Sequence, residues 1–359
     1  MDDLRPTDKT VWLIYVRLPN LFMAQKVQEE TDSMASAALS STVSVNPLVS
    51  VAITTYNLER WLPRAIDSVL EQRTTFPIEI VIADDCSADA TLSIAHSYRE
   101  RYPNLIRVLE RSKNVGVQRN TWETLEQCRG KYTAQLDGDD YWTDPEKLAI
   151  QVKTMESDSS ISVCCHYVRM VTTGGEVTQR KLPSLGAGRY GLEEIIRQNI
   201  IFTNAAVFRT GIHREIPDWY FNIQSLSDWP LWILAARAGN IVLIDRVMAD
   251  YRMTPDSSFL SKGSQFSCQM EAMFYEHMDT IIPSEWHRFA HAEAGKRYES
   301  VAYWVRKQGD FSASRNAALK AFCIPFFMDN IGSKTKTLFA AVLREAQWRL
   351  RGGRAVDSM

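Results

Sequence analysis

From Leu48 onward the chain alternates between short, continuous apolar runs and longer stretches with helical spacing. "LVSVAIT" reads as a buried strand, and "LERWLPRAIDSVLEQ" then carries Leu58, Trp61, Leu62, Ala65, Ile66, Val69 and Leu70 on one helical face. "IEIVIAD", "IRVLER" and "KYTAQLD" are further strand candidates. "ATLSIAHSYRERY" and "VQRNTWETLEQC" are the helices between them, the last closed by Gly130. The order is β-α-β-α-β-α-β. Strands that are apolar throughout, rather than at alternate positions, are buried on both faces, which predicts a mainly parallel sheet with helices on each side. In such sheets ligands bind beyond the carboxyl ends of the strands.

Farther along, Pro145 is placed in the first turn of the helix "PEKLAIQVKTME", and "ISVCCHYVRMV" is a strand that ends in the turn "TTGGE". "FTNAAVFR", "DWPLWILAARAG" and "IVLIDRVMADYRM" follow with less regular spacing. Beyond about residue 258 the pattern is helical, with "SASRNAALKAF" following "RKQGDF" like the second helix of a helix-turn-helix pair. Residues 1–46 stand apart: "VWLIYVRLPNLFMAQ" is apolar but short, and it runs into the Ser/Ala-rich "SMASAALSSTVSVNP". It reads either as a peripheral anchor or as a disordered leader with Met34 as the true start, and the second is preferred. The expected organisation is a leader over 1–46, an α/β domain over 47–257 divided between 144 and 145, and a helical region over 258–359.

Composition narrows the partners. The 359 residues are 45% hydrophobic and 23% charged with a net charge of −2, an ordinary globular balance that gives no electrostatic reason to expect nucleic acid. The six cysteines include no C-x-x-C pair, and adjacent Cys164 and Cys165 make an awkward disulfide framework, so reduced thiols and a cytoplasmic setting are expected. The longest apolar stretches fall far below the roughly 20 residues of a membrane span, leaving at most peripheral association with the inner face of a membrane.

The candidate chemistry sits at strand ends. "AQLDGDDYWTDPEKL" places Asp137, Asp139, Asp140 and Asp144 where the fourth strand runs out. Asp137 and Asp139, backed by Asp140, repel one another unless a divalent cation sits between them. Hard oxygen ligands point to Mn2+ or Mg2+, and such ions bind phosphates alongside protein carboxylates. A nucleoside diphosphate is the natural partner. The first strand ends "TTYN" and the second "ADDCSAD", so Thr54 and Asp85 suit a nucleobase edge, while Asp84, Asp85 and Ser87 suit a helix cap, the preferred reading of these residues taken alone. No G-x-G-x-x-G follows the first strand and no G-x-x-x-x-G-K-[ST] occurs.

Taken in order, "VSVAITTYN", "IEIVIADDCSADAT", "NVGVQRN" and "GKYTAQLDGDDYW" resemble the nucleotide-sugar-binding half of family 2 glycosyltransferases, over roughly Pro47 to Arg252. The resemblance implies the GT-A fold: a single α/β domain on a mainly parallel, Rossmann-like sheet with helices on both faces, here with a C-terminal helical extension. It implies that Thr54, Tyr56 and Asp85 contact the base and ribose of the donor, that Arg119 lies near the base or diphosphate, that Asp137 approaches the ribose, and that Asp139 is the main metal ligand with Asp140 close by. "LSDWPLW" resembles the family's acidic motif, which makes Asp228 the base that deprotonates the acceptor; on sequence alone Asp228 serves equally well as the N-cap of the following helix. Thr203 and Asn204 fall where the family lines its acceptor pocket, and Arg252 where it closes over the diphosphate. Many relatives carry His two residues after that Arg, and this chain has Thr254, which puts a third protein metal ligand in doubt. Trp122, Trp142 and Trp229 fit either sugar platforms or core packing, and for Trp142, beside the acids, the platform is preferred.

The expected activity is inverting transfer of a sugar from a nucleotide-sugar donor, a UDP-sugar, to a hydroxyl of a glycan or lipid-linked saccharide acceptor in cell-surface polysaccharide biosynthesis. A sugar nucleotidyltransferase would want a glycine-rich basic loop where this chain has "TTYNLERW". A non-catalytic binder of nucleotide sugars or glycans is the other alternative.

Overall fold

The apolar runs become strands. The computed structural model describes residues 46–223, 228–254 and 263–323, together with residues 335, 338 and 342. The expected leader lies outside these residues but for Asn46, as do the boundary at 257/258 and the side chain of Cys323. The fold described here belongs to the unit Pro47–Met359.

β1 (Val49–Thr55), β2 (Ile78–Asp84), β3 (Ile106–Glu110) and β4 (Tyr132–Asp137) form a parallel sheet in the order β3-β2-β1-β4. Every residue of β1 is buried. The intervening helices are α1 (Leu62–Leu70), α2 (Thr91–Arg101) and α3 (Val117–Glu126), and α1 buries Leu62, Ala65, Ile66 and Val69 on one stripe. Because β1 lies between β2 and β4, the strand order reverses beside it, and this is where a doubly wound sheet opens a crevice. Gly130 does not close α3, which ends at Glu126. It lies where β4 begins against β1, and a Cβ there would stand 2.6 Å from the Ser50 amide nitrogen.

In the second half the sheet becomes mixed. The two-residue β5 (Tyr141–Trp142) is followed by α4 (Lys147–Ser157), which starts two residues after Pro145 rather than on it. β6 (Ile161–Thr172) pairs antiparallel with β7 (Val177–Leu182), and β8 (Gly188–Tyr190) leads to α5 (Leu192–Arg197). β9 (Val207–Arg209) is wedged antiparallel between β4 and β6, and it joins the two halves of the sheet. α6 (Trp229–Ala238) is buried from Trp229 to Ala236. It feeds β10 (Asn240–Met253), which runs parallel to β6 and antiparallel to β5. The helical extension comprises α7 (Gly263–His277), α8 (His287–Lys307) and α9 (Phe311–Cys323), with α8 and α9 as the expected pair. Among the described residues no helix is long and apolar enough to cross a membrane.

Candidate active site

The carboxyl ends of β1, β2 and β4 meet on one edge. Parallel register sets Thr54 beside Asp137, and the Thr54 hydroxyl donates to Asp137 Oδ1 at 3.0 Å. The chain then turns sharply at Gly138, whose N–H donates to the Thr54 carbonyl at 2.9 Å. A Cβ on Gly138 would press against the Thr55 side chain at 3.1 Å, so the turn seats Asp139 and Asp140 directly on β1.

β5 then pairs with β10 and brings Arg252 to the turn. Its backbone N–H donates to Asp140 Oδ1 at 2.7 Å and its Nε to the Asp139 carbonyl at 2.8 Å. Three carboxylates thus share one corner, and Asp139 raises the proton affinity of both Asp137 and Asp140. Burial first, then Asp139 and Asp228, push the Asp137 carboxyl up to about 7, against the Thr54 hydrogen bond. Asp140 is driven well above the carboxylate range by burial and by Asp139 and Asp137. Asp139 is raised by burial, with Arg252 and the Thr254 hydroxyl holding it back. Asp140 Oδ2 is buried without a partner. Hard oxygen donors, crowded like charge and an orphaned oxygen on Asp140 are chemistry suited to a divalent cation, although among the described residues no group of three or more His, Cys, Asp or Glu is placed to hold one. Thr254, where the resemblance leads to a His being expected, bears on Asp139 through its hydroxyl.

The two aspartates that end β2 have different tasks. Asp84 accepts from the Ser87 N–H at 2.9 Å and from the Ser87 hydroxyl at 2.5 Å, which closes a turn ahead of α2 and does not cap that helix, whose N-cap residue is Ala90. Asp85, 3% exposed, reaches the other way: Oδ1 accepts from the Val115 N–H at 2.8 Å and Oδ2 from the Gly116 N–H at 2.9 Å. It holds the loop that opens α3. Removing it strands the Val115 amide and leaves the Gly116 amide only Asn114 Oδ1, at 3.1 Å, so Asp85→Ala is expected to lower the unfolding free energy by about 1–3 kcal/mol, with Asp85→Asn losing less because one acceptor oxygen remains. Urea denaturation of the two variants checks this, and equal stability of all three proteins would refute it. Tyr56 is 48% exposed at the end of β1, open to a ligand. Arg119 is exposed, 3.8 Å from Glu123 and with its guanidinium 4.5 Å from the Phe221 ring.

Asp228 immediately precedes α6, yet its side chain makes no cap bond to the helix. Its oxygens instead accept from Asn199 Nδ2, at 3.2 Å each, and Oδ2 from the Thr203 hydroxyl at 3.4 Å. Burial pushes its carboxyl up, offset first by Asn199. Asp228 is the N-cap residue of α6 by position, and its carboxylate lies close enough to Asp137 to raise it. Tyr251 faces the same corner, its phenol pushed up by burial and by Asp140, Asp137, Asp139 and Asp228.

Two expected site residues lie in the core instead. Asn204 is fully buried, its Nδ2 donating to the Asp250 carbonyl at 3.2 Å, so it does not line an acceptor pocket. Trp142 is 1% exposed, donates to the Asn204 carbonyl at 2.9 Å and lies under Lys147 Nζ at 4.0 Å, which leaves no face for a sugar. Lys147 itself is wholly buried and its Nζ has no hydrogen-bond partner. Burial pulls it down to about 7, against small opposing effects of Cys164 and Cys165. Trp229 is likewise buried, with its indole N–H on the Ile195 carbonyl. Asn199, Trp61, Tyr141 and Tyr251 belong to the site region and were not anticipated; only Tyr251, beside Arg252 in "DYRM", carried a signal.

The description "Glycosyl transferase family 2" matches residues 50–216. Rv1520 of Mycobacterium tuberculosis is 37% identical over 205 residues, which is 57% of this chain and 58% of that protein, so the chain spans less than two thirds of the length of this relative. Among solved structures, S. aureus TarS 1-349 in complex with UDP-GlcNAc superposes with a TM-score of 0.57 at 17% identity, over 85% of this chain and 92% of that one. The mannosyltransferase PcManGT from Pyrobaculum calidifontis, in complex with GDP-Man and Mn2+, gives 0.52 at 15%, over 89% and 94%. At such identities the likeness is one of fold. The parallel strands, the acid turn that ends β4 and the family match coincide on one stretch, and residues 50–216 are similar to glycosyl transferase family 2.

Proposed function

We propose that the protein is an inverting, metal-dependent glycosyltransferase that moves a sugar from a nucleotide-sugar donor, a UDP-sugar, to a hydroxyl of a glycan or lipid-linked saccharide. The observation that carries this is the convergence of Asp137, Asp139 and Asp140, at the end of β4, with Asp228 and its Asn199 clamp. The fold neighbours' complexes with UDP-GlcNAc and with GDP-Man and Mn2+ support a nucleotide-sugar donor.

In this reading Tyr56 and Thr54 face the nucleoside, with Asp85 shaping that side through the Val115–Gly116 loop, Asp137 faces the ribose, and Arg119 and Arg252 the diphosphate side. Asp228 accepts the proton of the acceptor hydroxyl as its oxygen attacks the anomeric carbon, and the sugar–phosphate bond breaks on the opposite face, which inverts the configuration. Asn199 and Thr203 hold the Asp228 carboxylate in place. Asp139, with Asp140 behind it, is placed to hold a divalent cation, which when bound offsets the charge on the departing diphosphate.

The reading is tested by incubating a panel of UDP- and GDP-sugars with Mn2+ and oligosaccharide or lipid-linked acceptors, with the product anomer assigned by NMR. An α-linked donor is expected to give a β-linked product. Retention, or no turnover of any donor, would overturn the reading. Asp139→Asn is expected to abolish Mn2+-dependent UDP binding with the fold intact; metal-dependent affinity equal to that of the unaltered protein would move the metal ligand elsewhere.

A further inference from the structure

Behind the acid turn stands a stack of rings and guanidinium groups of which the transfer scheme uses only Arg252. The guanidinium carbon of Arg252 lies 4.1 Å from the centroid of Trp61 and 5.1 Å from that of Tyr141. Arg60 lies 4.3 Å from the same Trp61 ring, and Arg64 5.2 Å from Tyr141. Trp61 directly precedes α1, and Tyr141 is the outward residue of β5. The stack therefore ties the start of α1, the acid turn and β10 together.

Arg252 is only 8% exposed, and burying a guanidinium is costly unless its charge is balanced and its donors are used. An aromatic face balances charge without consuming a donor, because the cation sits over the ring while its N–H groups project from the edge of its own plane. One point on that edge is already fixed, since Nε donates to the carbonyl of Asp139. The guanidinium edge is thus turned toward the acid turn. Two guanidinium groups against one indole also repel each other, and an anion beside them relieves that repulsion.

We infer that Trp61 is a positioning residue for diphosphate recognition: its ring holds the Arg252 guanidinium beside Asp139 so that the phosphates of a nucleoside diphosphate, and not its nucleoside, depend on it. The inference rests on the proposed nucleotide-sugar donor and adds a residue that touches no part of the donor itself.

The test compares the unaltered protein with Trp61→Leu and Trp61→Phe. Calorimetry in Mn2+ measures UDP against uridine, and GDP against guanosine. Leu keeps apolar bulk without a quadrupole, whereas Phe keeps an aromatic face. Trp61→Leu is expected to weaken the nucleoside diphosphate by about 5- to 30-fold while the nucleoside stays within about twofold, and Trp61→Phe to recover most of the loss. Equal losses for nucleoside and diphosphate would mean that Trp61 only supports the fold, and no loss for either would mean that Arg252 is held without it. A Phe variant as weak as the Leu variant also overturns the inference. If the unaltered protein binds neither diphosphate, the proposed donor falls and the inference falls with it; selective binding that Trp61→Leu leaves unchanged defeats the inference alone.

Discussion

Asp228→Asn is expected to slow sugar transfer by about 10²- to 10⁴-fold while leaving nucleotide-sugar affinity and the fold unchanged. Asn has nearly the shape of Asp but takes up no proton at the pH of the assay. Its carbonyl oxygen can still accept from Asn199, so the local hydrogen bonding survives in part. No helix cap is lost, because the Asp228 side chain makes none. The pH profile gives an independent check. Burial raises the Asp228 carboxyl, so a base at this position is neutralised, as the pH falls, earlier than an ordinary aspartate. Transfer by the unaltered protein should therefore show an acid limb shifted to higher pH than that of a free aspartate, and the Asn variant should lack the limb. A variant that transfers at a near-normal rate would remove Asp228 from the chemistry.

Lys147→Met is expected to stabilise the protein by about 3–5 kcal/mol near pH 6. The amine is wholly buried beside Trp142, has no hydrogen-bond partner, and falls from its ordinary 10.5 to about 7. Between those values the unfolded chain holds a proton that the native protein lacks, so stability rises with pH from about 7 toward 10.5 and is lowest, and level, below that window. Met fills the same volume without a charge to desolvate. The advantage of the variant should shrink as the pH approaches 10.5, leaving only the residual cost of burying an unpartnered amine. Denaturant titrations of both proteins at pH 6, 8 and 10 decide it; curves that stay parallel across that range would show that Lys147 keeps its ordinary proton affinity.

What could be read from the chain, and what could not, divides by the distance over which the physics acts. β1 and β2 were legible because runs such as "VSVAITT" are buried on both faces and so are apolar throughout. Asp137 was legible because a strand end announces itself where charge interrupts such a run. Trp142 was misplaced because nearness in sequence to the acids does not say which side of a strand a residue takes. Neighbours in β5 alternate, so Tyr141 faces Arg252 while Trp142 enters the core. Asp84 and Asp85 diverge for the same reason. Asn199 gave no sign at all: only the return of the chain through β9 and α6 brings it against Asp228. The insertion of β9, a three-residue antiparallel strand, was equally hidden, since its apolar content is too short to carry a period.

Gly130 shows how far from the chemistry the site can be damaged. A methyl group there would lie 2.6 Å from the Ser50 nitrogen, 2.8 Å from the Tyr132 carbonyl oxygen and 2.9 Å from the Val49 carbonyl carbon, all backbone atoms that cannot swing aside. Any larger residue must pry β4 from β1 at its foot. The alignment of Thr54 with Asp137 is laid down from that end, about 20 Å along the strand from the carboxylates. In a random-mutagenesis screen for lost activity, position 130 should therefore be recovered as often as the aspartates, though it lies at the far end of β4 from them. The glycine works as a datum from which the tolerances of the distant corner are measured.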